Sequence, residues 1–191
     1  ERVTSWGKLA DWLAKPSPVP AVPPWAEDRF NSPKSWLPGW TASRFHGQKR
    51  SGEAVVDSGA LLIDLDSDPT ATGKQRGDPE LGPDALRALL ASVVPDVAYL
   101  AHTSPSSRPG AWRWRVVLPL SRRVNPDEYA EVAAAVRLSA IRAGSPALEA
   151  DPGWCSPSRF FYGPAAFPDY FHLRADGRTL DPDAILRAAD V

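Results

Sequence analysis

The stretch that most constrains this chain is ALLIDLD, Ala60 to Asp66. Ala60 to Leu65 is a short apolar run of the kind that suits a strand in the middle of a sheet, buried on both faces. Residues two apart on a strand point to the same side, so Asp64 and Asp66 project together while Ile63 and Leu65 turn the other way into apolar packing. Two neighbouring carboxylates repel each other. A cation between them relieves the repulsion, and hard oxygen donors favour Mg2+ or Mn2+. The alternative is plainer: the strand ends here, and its aspartates stand in water and cap a turn beside Asp68.

Around this strand the chain from Ala54 onward reads as alternating strands and helices. Asp68 to Pro79 is a polar loop. Pro83 opens a helix through Val94, Val97 to His102 is the next strand, and Trp112 to Leu120 (WRWRVVLPL) is a third. Asn125 caps a helix with Pro126 at its first position, ending near Gly144. Arg159 to Tyr162 is another short strand, and Asp181-Pro182 caps a final helix. This order predicts an α/β (α+β) fold with a mixed central sheet and helices on one face.

The first fifty residues differ in texture. Thr4 or Ser5 caps a short helix with Trp6, Leu9, Trp12 and Leu13 on one side, and a proline-rich connector runs from Pro16 to Pro24. The segment PKSWLPGW from Pro33 to Trp40 has no helical or strand period. Its rings are expected to pack irregular chain onto the domain, with base stacking as the alternative. We therefore expect residues 1–50 to form an N-terminal helix and a Pro/Trp-rich segment packed on a core of residues 51–191, in a single domain of 191 residues.

Two further constellations carry chemistry. Arg113 and Arg115 share one face of their strand, with Trp114, Val116 and Leu118 on the other. Guanidinium forks match phosphate oxygens, although a solvated edge or ordinary ion pairs would use them equally well. The turn after His102 is rich in hydroxyls (Thr103, Ser104, Ser106, Ser107) and can add phosphate or sugar contacts. Asp151 opens DPGWCSPSRFFYGP, in which Arg159 begins an aromatic strand.

Taken in order, LLIDLDSD, HTSPSSRPGAWRWRVVLPLSRRV and DPGWCSPSRFFYGP resemble primase-polymerases of the archaeo-eukaryotic primase superfamily, carried by phages, plasmids and integrated elements. The stretch from about Lys34 to Pro164 follows that pattern, including the basic GQKRSG ahead of the first strand. The resemblance implies an RRM-like primase sheet and a DNA primase or polymerase that joins nucleotides by two-metal-ion catalysis. It makes Asp64 and Asp66 the first metal ligands and Asp151 the third acid, with Mg2+ or Mn2+ bound. Arg115 or Arg113 would lie near the incoming triphosphate, and Arg159 would be the arginine of the Ser-Arg-aromatic motif. The family's Ser-x-His turn is Ser104-Pro105-Ser106 here, which leaves His102 and Arg108 as candidates for the missing contact. Single-stranded DNA template and nucleoside triphosphates are the implied partners, and a fused or associated helicase would accompany them.

Lys49 and Arg50, and likewise Arg122 and Arg123, are candidates for DNA-backbone contact, against the alternative of ordinary surface charge. A net charge of -1 counts against a protein that coats nucleic acid nonspecifically, although carboxylates gathered for metal cancel basic residues elsewhere. A DNA-binding domain that has lost catalysis, or a metal-dependent nuclease, would use many of the same residues. No apolar run is long enough to span a membrane, and we expect a cytoplasmic protein. Cys155 is the single cysteine, so no intrachain disulfide forms. The chain lacks methionine and begins at Glu1, so we expect the natural protein to extend further at either end.

Overall fold

The computed structural model describes residues 5–19, 37–47, 51–65, 80–105, 107–143 and 156–189. In chain order its elements are α1 (Trp6–Leu13), β1 (Gly39–Trp40), β2 (Ser43–Phe45), β3 (Val55–Leu65), α2 (Pro83–Val93), β4 (Tyr99–Thr103), β5 (Trp114–Val124), α3 (Pro126–Arg142), β6 (Phe161–Tyr162), β7 (His172–Ala175) and α4 (Pro182–Ala189). A five-stranded sheet runs β2-β3-β5-β4-β7, and β1 and β6 form a separate two-stranded ribbon. The α/β class expected from the sequence is the class observed. One correction concerns strand direction: among the described residues every strand pair in the two sheets is antiparallel rather than mixed, and the parallel contacts are isolated bridges such as Leu120–Leu180. The cause lies in the connections. β4 reaches β5 through a short turn that reverses the chain, whereas a parallel pair would need a crossover of a dozen residues or more.

The helices begin where their caps place them. The Ser5 side chain accepts from the Lys8 N–H, and that of Asn125 from the Glu128 N–H at 2.9 Å. Pro83 and Pro126 occupy first-turn positions, where a missing N–H costs nothing. Strand β3 is longer than its apolar run, starting at Val55 rather than Ala60, because its polar first half pairs with β2 at Ser43–Ser58 and Arg44–Asp57.

Alternation along the strands builds two cores, one on each side of the sheet. Leu61, Ile63 and Leu65 of β3, with Trp114, Val116 and Leu118 of β5, meet α2, α3 and α4 on one face. Ala60, Leu62, Leu100 and Val117 meet α1 and Phe161 of β6 on the other. Helices thus cover both faces rather than one, since α1 seals the face opposite the other three. Trp114 is fully buried and donates through its indole N–H to the Leu81 carbonyl at 2.8 Å, which satisfies the one polar atom it takes inside.

Candidate active site

At one level of the sheet the apolar filling of the α1 face stops. The strand register places Asp64 of β3 opposite Arg115 of β5, Arg115 opposite His102 of β4, and His102 opposite His172 of β7. The side-chain alternation that sends Leu65, Trp114 and Leu173 to the three-helix core turns all four of these toward the α1 face. Four polar residues widely separated in sequence therefore form one row across four strands.

Burial differs along the row. Arg115 is 5% exposed and His102 only 1%, which is unusual for a guanidinium and an imidazole. Phe161 and Tyr162 cover Arg115, whose guanidinium carbon stands 5.3 and 5.8 Å from their ring centres, and whose Nη1 reaches the Tyr162 carbonyl at 3.5 Å. His102 meets Phe161 edge-on and lies beside Tyr170. Its Nδ1 is 3.1 Å from the Thr103 carbonyl, which can only accept, so this nitrogen carries the proton and Nε2 holds a lone pair. Burial, helped by the positive charge of Arg115, pushes the His102 pKa down to about 3. The ring is thus neutral near pH 7, which removes the charge that a phosphate contact would need. His172, at the row's outer end, is exposed.

Arg159 joins the row from the segment before β6. Its Nη2 stands 3.5 Å from Asp64 Oδ2, with both side chains mostly buried, so two guanidinium groups and a carboxylate converge where β3 ends. The turn after β4 is held by backbone and hydroxyl groups together. Ser104 N donates to the Arg113 carbonyl at 2.9 Å, and Arg113 N donates to the Ser107 hydroxyl at 3.1 Å, which ties Arg113 to the turn beside the row.

Asp66, Asp151, Ser106, Lys49 and Arg50 lie outside the described residues. Among the described residues, no group of three or more His, Cys, Asp or Glu side chains is placed to hold a metal ion. Asp64 fits as one ligand of such a site, being a hard oxygen donor in a partly desolvated setting where a cationic partner is already drawn to it. Arg122 and Arg123, singled out for charge, are engaged elsewhere. Arg122 pairs with Glu128 and Asp183, and Arg123 with Asp57. Sequence reasoning missed the alignment of His172 with the row and the aromatic cover over Arg115. The aromatic run FFY was visible, but nothing in it names the strand against which it folds.

The fold and row define an α+β domain with a polar band across one face of an antiparallel sheet. Its family follows from comparison: the chain belongs to the VapE N-terminal domain family, whose profile matches residues 38–190. Among solved structures it is similar to the AEP domain of the cyanophage S-2L primase-polymerase (PrimPol), at 16% identity and a TM-score of 0.47, over 72% of this chain. The match spans 63% of that structure's own length. No curated protein matches. Among the described residues no helix is long and apolar enough to cross a membrane.

Proposed function

We propose that this domain catalyses template-directed nucleotidyl transfer, as a DNA primase or polymerase serving the replication of a mobile element. The observation that carries the reading is the convergence of Asp64 with Arg115 and Arg159 on one face of the sheet. A carboxylate at a strand end beside two guanidinium groups suits a substrate that brings both a polyphosphate and its divalent counter-ions. Asp64, Asp66 and Asp151 would hold Mg2+ or Mn2+, which when bound neutralises triphosphate charge and acidifies the attacking hydroxyl.

The chain's own residues do the rest by positioning. Arg159 lies next to Asp64 and is suited to grip phosphate oxygens once the carboxylate turns to a cation. Arg115 is held rigid beneath Phe161 and Tyr162 and supplies a fixed positive charge under the same site. Arg113 and the Ser104 turn border the row and serve triphosphate or sugar contacts, and Ser106 would add a further hydroxyl. His102, neutral and buried, shapes the floor rather than contacting phosphate as a cation. Base pairing with the single-stranded template selects the nucleotide, so the protein needs to hold only backbone and sugar. Lys49 and Arg50 are placed by sequence to contribute backbone contacts.

A second reading, a DNA-binding domain with weakened catalysis, is favoured by one observation. The serine-rich turn lacks an imidazole, and His102 cannot replace it as a charged group. One assay separates the two. Primed and unprimed single-stranded templates are incubated with labelled nucleotides and Mg2+ or Mn2+, using the wild type and an Asp64→Asn/Asp66→Asn variant. Template-dependent products that vanish in the variant support transfer. DNA retention without products would favour the binding module, and strand shortening would indicate a nuclease.

A further inference from the structure

One residue along from the polar row, Leu65, Trp114 and Thr103 of three strands and Phe171, just before β7, form a second row on the opposite side of the sheet. The last step is fixed by Thr103 N donating to the Phe171 carbonyl at 2.9 Å, and by the Thr103 hydroxyl, which accepts from Phe171 N at 2.9 Å. Leu65 and Trp114 are buried. Phe171, in contrast, is 42% exposed, the only aromatic ring among the large exposed apolar side chains of the described residues.

This ring does not stand alone. Trp112 meets it edge-to-face at 5.5 Å and 71°, and Trp112 is itself stacked on the buried Trp114 at 6.0 Å and 19°. Trp114 is anchored through its indole N–H to Leu81. The result is a braced aromatic ledge at the end of the sheet, whose outer ring is open to solvent. Arg108, exposed at the tip of the turn closed by the Ala111 N–H to Arg108 carbonyl bond, supplies a positive charge on the same connection.

We propose that the Phe171–Trp112 ledge is a stacking platform for the unpaired bases of single-stranded DNA. A rigid ring pair costs little entropy to present. Aromatic faces hold bases without regard to sequence, and a neighbouring arginine draws in the backbone. The placement matches the chemistry proposed above, on which this inference rests. Three strand spacings, about 14 Å at ~4.8 Å each, separate the Asp64 and Phe171 positions along the sheet end, and alternation puts their side chains on opposite faces. A template leaving the site would round the end of the sheet to reach the ledge.

The test measures equilibrium binding of a short fluorescein-labelled single-stranded DNA by anisotropy, without nucleotide or divalent metal, so that catalysis plays no part. Phe171→Ala is expected to weaken binding roughly 5- to 150-fold, the range for losing one base–aromatic stack. Phe171→Tyr should keep wild-type affinity, and Arg108→Gln should reduce the salt dependence by about 0.7 in log–log slope. Circular dichroism and melting of each variant confirm that the exposed position leaves the fold intact. Unchanged binding in Phe171→Ala, or an equal loss for duplex DNA, would overturn the platform. If Asp64→Asn still extends primers while Phe171→Ala has lost strand binding, the transfer reading fails and the platform stands.

Discussion

The two faces of the central sheet use the same strands for opposite purposes. On the face toward α2, α3 and α4, strand β5 presents Trp114, Val116 and Leu118, all fully buried among apolar neighbours. On the face toward α1, the same strand presents Arg115 and then Val117, and the apolar layer gives way to Asp64, His102 and Arg115. Alternation by two is what allows this: a strand can be clamped on one side while offering charges on the other. A rigid back face is what holds a charged front face in place, because a guanidinium or carboxylate at a strand end can be no better positioned than the strand itself.

The comparison is broken most sharply at Asp64. Asp64→Asn keeps the size and hydrogen-bonding reach of the side chain but removes the charge, so template-dependent synthesis should fall by at least ~10³-fold, and melting temperature should fall as well because Arg159 and the buried Arg115 lose their facing carboxylate. A gel assay of primer extension beside calorimetric melting would show both. Trp114→Ala attacks the other face. It removes a fully buried ring and strands the Leu81 carbonyl, and the expected loss is about 3–5 kcal/mol of stability in urea titration.

His102 sharpens the contrast through pH. Its ordinary pKa of 6.5 is lowered in the fold to about 3. Below 6.5 the unfolded chain therefore binds a proton that the folded chain refuses, and stability must fall as pH drops from about 6.5 toward about 3. His102→Asn should flatten that slope in a pH series of melting curves. The smallest effect is expected on the rim of the sheet, where Asp57 is held down to about 2, chiefly by its hydrogen bond to Arg44 and then by Arg123. This cluster of three contributes stability above the ordinary carboxylate range that is lost as pH falls toward 2. Because the arginines are exposed, Asp57→Asn at neutral pH should change melting only slightly, and less still in high salt.

Much of this was readable in advance, for reasons that lie in particular residues. Asp64 with Ile63 and Leu65, and Arg115 with Trp114 and Val116, revealed their faces because period-two alternation is local. Asn125-Pro126 marked the start of α3 for the same reason, since a cap is made within one turn. What was not readable depends on partners far along the chain. His172 lies in a short edge strand, HLRA, with too little apolar pattern to announce itself, and only pairing with β4 brings it level with His102. The cover of Phe161 and Tyr162 over Arg115 arises from a ribbon whose other strand is Gly39–Trp40. The direction of the strands was misjudged because alternation of strand and helix suggests crossovers, while the β4–β5 turn is a simple reversal.

The central claim is that Asp64 helps hold a divalent ion that in turn holds a triphosphate beside Arg115 and Arg159. The direct measurement is the affinity of a non-hydrolysable nucleoside triphosphate, titrated by calorimetry with and without Mn2+, for the wild type and for Asp64→Asn. The account predicts that Mn2+ tightens binding to the wild type and that this gain disappears in the variant. An equal gain from Mn2+ in both proteins would contradict it.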